Sequence, residues 1–258
     1  MNCTAIGTRY TGNMVRVFRT LPVDRLKLLV FDLDGTLIDS AQDLCNSVNA
    51  TLRQFGREPL PDPVVASYIG DGAIMLVRRA LFGPDADLDA AEVDEEFLAQ
   101  AYAWFLDYYR AHKLDFTYAY AGVKEALAAL RTMPDGGARS MSVLTNKPVG
   151  PAQAICEALA LAPFFLHIYG GNSFPVKKPD PLGLRTLMAE ASAGPEETVM
   201  IGDSEVDVAT ARNAGVWSVG CTFGLAPQSL KDNQPDVLVD SPADWTAALY
   251  PAQFPSRR

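Results

Sequence analysis

The feature that most constrains this chain of 258 residues is the apolar run Leu28-Leu29-Val30-Phe31, which ends in Asp32-Leu33-Asp34-Gly35-Thr36. A short apolar run bounded by turn residues is typical of a buried strand, and a glycine permits a sharp turn directly after it. The run therefore predicts a strand that delivers Asp32 to the end of a sheet, with a turn that bends Asp34 back to the same place. Since Asp, Gly and Thr are also ordinary turn and helix-capping residues, this stretch alone is equally consistent with a capped turn.

Beyond residue 120 the pattern alternates between short apolar runs and helical periodicity. We expect strands over 140–144, 164–169, 198–201, 216–219 and 237–239, and helices over 122–130, 152–159, 182–191 and 206–214. Strands that alternate with helices indicate a parallel sheet of the α/β class. In such a sheet, ligands bind beyond the carboxyl ends of the strands.

Between the first strand and the next, residues 59–115 are helical in pattern and poor in strands, with helices expected over 64–69, 74–81 and 92–112. A block of helices inserted there indicates a separate helical cap. We assign its aromatic series to packing inside the cap; the series is Tyr102, Trp104, Phe105, Tyr108 and Tyr109.

One loop of this helical block, Tyr68-Ile69-Gly70-Asp71-Gly72-Ala73, contains two glycines just before a predicted helix. Such a loop can bring its backbone N–H groups close to an anion. It lacks the G-x-G-x-x-G pattern and does not follow a strand, which argues against a dinucleotide site. A loop that faces an active site and a simple turn between helices both fit the sequence.

Polar side chains follow three of the predicted strands, and a lysine lies in a loop between them. They are Asp32 and Asp34, Thr145 and Asn146, Asp203 and Asp207, with Lys178 in the loop. A single acid of this kind is often a helix cap or a solvated charge. Together the four carboxylates would repel one another, so a hard divalent cation is the natural neutraliser, with Mg2+ the first choice and Ca2+ or Mn2+ the rivals.

A carboxylate beside such a cation suits phosphoryl transfer. Asp32 would attack in line to form an aspartyl-phosphate, while Asp34 would protonate the leaving alcohol and then take a proton from the hydrolytic water. The neutral donors of Thr145 and Asn146 and the charge of Lys178 would bind the phosphate group. Lys178 alone is also consistent with a surface charge, and we expect its neighbour Lys177 to be one.

These residues resemble the four motifs of the haloacid dehalogenase superfamily of Mg2+-dependent phosphohydrolases. The motifs are D-x-D-G-T at Asp32, T-N at Thr145, K-P-D-P at Lys178 and G-D-S-x-x-D from Gly202 to Asp207, and the resemblance runs from about residue 28 to 240. It implies a Rossmann-like core over 26–42 and 116–258 and an all-helical cap over 43–115. We expect residues 1–25 to be a disordered extension, because the first twenty contain arginines but no acid and lack the apolar core of a secretory signal.

The same resemblance implies a role for each acid. Asp32 is the nucleophile and a metal ligand, and Asp34 is the acid/base and binds the metal through its main-chain carbonyl. Asp203 completes the protein ligands of the metal. Asp207 does not bind the metal directly: it contacts the ligands or reaches the metal through a bridging water.

Within the superfamily the chain looks most like the phosphoglycolate phosphatases, which implies hydrolysis of 2-phosphoglycolate. The features are Tyr68-Ile69-Gly70-Asp71-Gly72, Leu144-Thr145-Asn146-Lys147-Pro148, Gly170-Gly171-Asn172, Thr222-Phe223-Gly224 and Pro235-Asp236-Val237. The chain departs from many relatives at Ala121, where proline is common, in a longer loop over 134–137, and at Asp71, where Asn is usual. Asp71 bears on the substrate more than on the reaction.

Four other functions remain open at this point. A phosphatase of another small ester such as a sugar phosphate is the nearest, and a phosphosugar mutase uses the same motifs. A catalytically silent binding relative would lack one of the acids, and none is missing. A dehalogenase proper would not need Asp34.

The formal net charge of −9 argues against nucleic acid or an anionic membrane as partner, because both favour basic surfaces. The residues suited to phosphoryl transfer indicate a small phosphorylated metabolite as the partner. The cysteines Cys3, Cys45, Cys156 and Cys221 form no C-x-x-C pair, which favours reduced thiols in a cytoplasmic protein.

Overall fold

The computed structural model describes residues 6–10, 13–85, 93–133 and 136–249. The strands in these ranges are β1 (Ile6–Tyr10), β2 (Asn13–Val17), β3 (Leu28–Phe31), β4 (Ile38–Asp39), β5 (Tyr118–Ala119), β6 (Ser140–Leu144), β7 (Ile168–Tyr169), β8 (Thr198–Gly202), β9 (Trp217–Cys221) and β10 (Val237–Val239). The helices are α1 (Ala41–Gln54), α2 (Asp62–Ala66), α3 (Ala73–Phe82), α4 (Glu95–His112), α5 (Val123–Leu130), α6 (Val149–Ala158), α7 (Leu182–Glu190), α8 (Glu205–Ala214) and α9 (Asp244–Leu249). Strands and helices alternate after β5, as the sequence predicts for an α/β protein.

Eight strands form one sheet in the order β1-β2-β10-β9-β8-β3-β6-β7. The six strands from β10 to β7 are parallel, and β2 and β1 extend one edge in antiparallel pairing. In the centre, Phe31 of β3 lies opposite Val143 of β6 and Ile201 of β8. Because the three strands are in register, their carboxyl ends reach the same edge of the sheet.

The central strand β3 is buried on both faces. Leu29 and Phe31 belong to a cluster that contains Trp245, whereas Leu28 and Val30 belong to the cluster on the other face. Successive side chains of a strand point to opposite faces, and helices cover both faces of a parallel sheet. This is why β3 reads as a continuous apolar run.

Helices α1 to α4 form a unit with its own hydrophobic cluster, and we call this unit the cap. The cap helices run from residue 41 to residue 112, and Tyr109 belongs to their cluster. The two connections to the core pair as the β4–β5 ribbon. Asp43 fixes them further, since its carboxylate accepts hydrogen bonds from Phe116 N and from the main-chain N and hydroxyl of Thr117.

The expectation of disorder over residues 1–25 is wrong for the part of this segment that the structure describes. β2 pairs with β10, and Phe18 N and Arg19 N both donate to Asp236 O. The segment is thus ordered by main-chain hydrogen bonds to a sheet edge, which its composition does not reveal.

The strand expected over 164–169 is reduced to β7, because 162–164 form a 3-10 turn. The long loop over 134–137 lies partly outside the described residues, as does Cys3, while Cys45, Cys156 and Cys221 are buried and free. Within the described ranges, none of the helices combines the length and the apolar character that crossing a membrane requires.

Candidate active site

The residue that follows β3, Asp32, lies in a cleft between the sheet edge and the cap. Its Oδ1 is 2.8 Å from Nζ of Lys178, and the same Nζ is 2.7 Å from Oδ1 of Asp207. Lys178 is only 4% exposed. It is therefore a buried ammonium group that links two carboxylates, and the reading of Lys178 as a surface charge is wrong.

Asp203 follows β8 and approaches Asp32 from the neighbouring strand. Its Oδ2 accepts hydrogen bonds from Leu225 N at 2.6 Å and from Ala226 N at 3.0 Å. Gly35 has a φ of +81°, and a Cβ at this position would lie 2.1 Å from Oδ2 of Asp203. Only glycine allows the turn after β3 to pass this close to the carboxylate.

Asp32, Asp203 and Asp207 each place a carboxylate oxygen within 4.8 Å of the others. Burial raises the pKa of Asp32 to about 6, although Lys178 opposes the rise. Burial, reinforced by Asp207 and Asp32, raises the pKa of Asp203 to about 8. The negative charge of this cluster is thus only partly offset by the protein, and three buried carboxylates are a donor set that fits a hard divalent cation.

The side chain of Asp34 is not part of that cluster. Both of its carboxylate oxygens accept from Nζ of Lys147, at 2.9 and 3.0 Å, and Oδ1 also accepts from Ser40 Oγ at 2.5 Å. Burial alone would lower the pKa of Lys147, but the Asp34 carboxylate raises it above its ordinary value. The turn does bring Asp34 to the same cleft as Asp32, and a separate lysine holds it there.

Thr145 and Asn146 follow β6, as predicted, and both are buried beside the cleft. Oγ1 of Thr145 accepts from Lys147 N at 3.2 Å, so its hydroxyl hydrogen stays available. Nδ2 of Asn146 donates to Gly70 O and to Lys178 O, each at 3.1 Å. Since an amide nitrogen has two hydrogens, this arrangement leaves no side-chain N–H of Asn146 for a phosphate group.

The glycine loop of the cap contacts the core at this point. Gly70, Gly72 and Ala73 line the cleft, so the loop faces the site and is more than a turn between helices. Lys177 was expected at the surface, but it is half-buried and its Nζ donates to Asp71 O. Burial lowers the pKa of Lys177. The sequence gives no sign of the contact between Lys177 and Asp71, because this contact depends on how the cap sits on the core.

The cap contributes a mostly apolar wall to the cleft. Its side chains are Leu44, Ile69, Leu76, Phe105, Leu106 and Tyr109. Sequence reasoning placed Tyr109 in the cap packing, which is correct, but missed that it also lines the cleft. It also passed over Lys147, although its position directly after Thr145 and Asn146 at a strand end was a usable signal.

Comparisons with known proteins identify the family of this chain. A family model for haloacid dehalogenase-like hydrolases matches residues 29–221. The chain is 41% identical over 208 residues to a phosphoglycolate phosphatase of Pseudomonas putida, covering 80% of this chain and 71% of that protein. It is 38% identical over 233 residues to a phosphoglycolate phosphatase of Neisseria meningitidis, covering 89% and 96%.

Solved structures give the same result. The crystal structure of a predicted phosphoglycolate phosphatase from Haemophilus somnus matches with a TM-score of 0.77 and 32% identity, covering 86% of this chain and 96% of that one. The chain therefore belongs to the haloacid dehalogenase-like hydrolases. It is a phosphoric monoester hydrolase, and it is similar to the phosphoglycolate phosphatases over most of its length.

Proposed function

We propose that this protein is a Mg2+-dependent phosphatase that hydrolyses 2-phosphoglycolate to glycolate and phosphate in the cytoplasm. The observation that carries the proposal is the separation of the two carboxylates of one turn. Asp32 lies in the acidic cluster with Asp203 and Asp207, whereas Asp34 is held apart by Lys147 and Ser40. Two carboxylates in different surroundings suit the different roles of nucleophile and acid/base.

In the first step, Asp32 attacks the phosphorus in line with the ester bond. Lys178 holds Oδ1 of Asp32, which leaves Oδ2 for the attack. The P–O ester bond breaks as an aspartyl-phosphate forms, and protonated Asp34 gives its proton to the departing glycolate oxygen. Ser40 and Lys147 keep the Asp34 carboxyl in place for this transfer.

In the second step, water attacks the aspartyl-phosphate and Asp34 takes the proton from it. The bond between phosphorus and Asp32 breaks, which releases phosphate and restores Asp32. The hydroxyl of Thr145 and the main-chain N–H of Asn146 donate to the phosphoryl oxygens; the main chain serves at Asn146 because its amide hydrogens are already used.

Asp32 and Asp203 would hold Mg2+ together with the main-chain carbonyl of Asp34, and Asp207 would act through Lys178 and Ser204 behind them. Ser204 Oγ donates to Oδ2 of Asp207 at 2.7 Å, which fixes that carboxylate at the start of α8. When bound, the cation supplies positive charge for the negative charge on the phosphoryl group.

The cap wall supports a small substrate. A sugar phosphate would place several hydroxyl groups against Leu44, Ile69, Leu76 and Phe105, which offer them no hydrogen bonds. Support for 2-phosphoglycolate itself comes from the relatives that carry that name.

The test is phosphate release from 2-phosphoglycolate, sugar phosphates and nucleotides, with Mg2+ and with a chelator. We expect kcat/KM to be highest for 2-phosphoglycolate, and activity to disappear with chelator and return with Mg2+. A profile led by sugar phosphates would refute the substrate, and transfer between sugar hydroxyls without release would indicate a mutase. Asp32→Asn is the matched control, and acid-quenched wild type should carry phosphate on the peptide that contains Asp32.

A further inference from the structure

A contact between core and cap lies beside the acid/base. The ring of Tyr109, in α4 of the cap, lies 4.8 Å from Nζ of Lys147, measured to the ring centroid. The same Nζ donates to both carboxylate oxygens of Asp34. An ammonium group near an aromatic face is favourable, so the contact links the cap to the core at the cleft.

The hydroxyl of Tyr109 makes no hydrogen bond of good geometry, although the residue is only 2% exposed and lines the cleft, and the ammonium group of Lys147 is close enough to interact with it. Buried polar groups of proteins are nearly always hydrogen-bonded, and an exception at a site calls for an explanation. Burial raises the pKa of Tyr109 to about 12, so the phenol keeps its proton and can donate. A ligand with an acceptor oxygen would satisfy it.

The charged residues that line the cleft indicate which kind of acceptor group a ligand would bring to the Tyr109 hydroxyl. Among the described residues that line it, Lys147 is the only lysine or arginine, and the remaining charged side chains are Asp32, Asp34 and Asp203. A second anionic group on a substrate therefore has one cation to approach. That cation touches Asp34, the group that acts on the ester oxygen under the proposed function. In 2-phosphoglycolate the carboxyl carbon is two bonds from that oxygen.

We propose that Lys147 of the core and Tyr109 of the cap together bind the carboxylate of a phosphorylated hydroxy acid, and so select substrates with an acidic group next to the ester. The inference rests on the proposed function and deepens it. Lys147 supplies charge and Tyr109 supplies a neutral donor from the cap. Because the two residues come from different units, the pair is complete only when the cap sits on the core.

The test compares 2-phosphoglycolate with 2-hydroxyethyl phosphate, which replaces the carboxylate by a neutral hydroxymethyl group in a chain of the same length. In Tyr109→Phe, we expect the ratio of the two kcat/KM values to fall about tenfold, since a hydrogen bond to a charged group is lost. Tyr108→Phe is the matched control, because Tyr108 lies on the same helix, stacks with Trp104 and His112, and does not line the cleft. Its ratio should equal that of the wild type.

Stability and binding separate recognition from a structural role. Tyr109→Phe keeps the ring over Lys147 and removes a hydroxyl that makes no hydrogen bond of good geometry, so its Tm should not fall by more than about 2 °C. The affinity for 3-phosphonopropionate relative to propylphosphonate, measured by calorimetry with Mg2+, should drop with the kinetic ratio. An unchanged ratio, or an equal loss for both esters together with a lower Tm, would overturn the inference. Wild-type values report separately on the proposed function, since it fails if the wild type does not prefer 2-phosphoglycolate.

Discussion

Replacing Gly202 by alanine tests whether Asp207 and Lys178 must occupy their observed positions. Gly202 ends β8, and a Cβ there would lie 2.1 Å from Cγ and 2.2 Å from Oδ2 of Asp207. Ordinary contacts of this kind are about 3.4 Å or longer, so the carboxylate must move by more than about 1 Å. Asp207 lies against the backbone of β8, and it cannot move without changing its contact with Lys178.

The expected effects follow from the contacts that are lost. Nζ of Lys178 is 2.7 Å from Asp207 and 2.8 Å from Asp32, and all three side chains are buried. Breaking one buried ion pair destabilises a protein by about 3 kcal/mol, which corresponds to a fall in Tm of about 6–12 °C for a chain of this size. Misplacing a catalytic group by about 1 Å reduces the rate by about a hundredfold. We therefore expect kcat/KM to fall by about that factor at temperatures where the variant is folded.

The assay is Mg2+-dependent phosphate release at a temperature well below the Tm of both proteins, with Tm measured by calorimetry. Gly150→Ala is the matched control, because Gly150 lies in α6 and no atom lies within 4 Å of its added Cβ. It should keep wild-type activity and gain a few tenths of a kcal/mol, since alanine favours a helix by up to about 1 kcal/mol. A Gly202→Ala variant within about twofold of wild-type kcat/KM would contradict the role given to Asp207.

Three further outcomes are expected. Asp32→Asn should lower kcat by at least about a thousandfold, because it removes the nucleophile, with a circular dichroism spectrum like that of the wild type; near-normal turnover would refute the assignment. Asp34→Asn should lower kcat by about a hundredfold or more, and less when the leaving group is nitrophenol, which needs no proton; equal losses for both esters would contradict the acid role. Without metal, burial raises the pKa of Asp203 in the folded state to about 8, above the value of about 4 in the unfolded chain. The folded protein therefore binds the proton more tightly, and stability is lost as the pH rises from about 4 to about 8. The Tm of Asp203→Asn in chelator should therefore exceed that of the wild type by more at pH 8 than at pH 6, and parallel Tm curves would contradict the raised pKa.

The sequence predicts the sheet and its polar edge well, for a reason visible in β3. Its four residues are buried on both faces, and this produces the unbroken apolar run that ends at Asp32. Once alternation of strands and helices indicates a parallel sheet, the carboxyl ends of β3, β6 and β8 must lie at one edge of it, and the observed strand order puts β6 and β8 on either side of β3. The meeting of Asp32 with Asp203 is therefore a consequence of topology.

The parts that sequence reasoning missed depend on contacts between distant segments. β2 is ordered by pairing with β10, more than 200 residues away in the chain. Tyr109 has the spacing of a packing residue, and only the position of the cap on the core brings it to Lys147. The position of Lys147 at a strand end marks it as a candidate, but only the structure shows that its partner is Asp34. Neither periodicity nor composition records such pairings.

The two lysines explain how one site holds four carboxylates with different roles. Lys178 is shared by Asp32 and Asp207, and Lys147 belongs to Asp34 alone. With all of these groups ionised, Asp203 is the one carboxylate without an ammonium partner, and it has only the main-chain N–H groups of Leu225 and Ala226. The pKa values of Asp32 and Asp203 are both raised, and the rise is larger for Asp203. The deficit of positive charge is thus localised on the Asp203 side of Asp32 and not at the carboxylate of Asp34, which Lys147 already neutralises. A divalent cation bound there would leave the Asp34 carboxyl free to exchange protons, which is the arrangement that a nucleophile and a separate acid/base require.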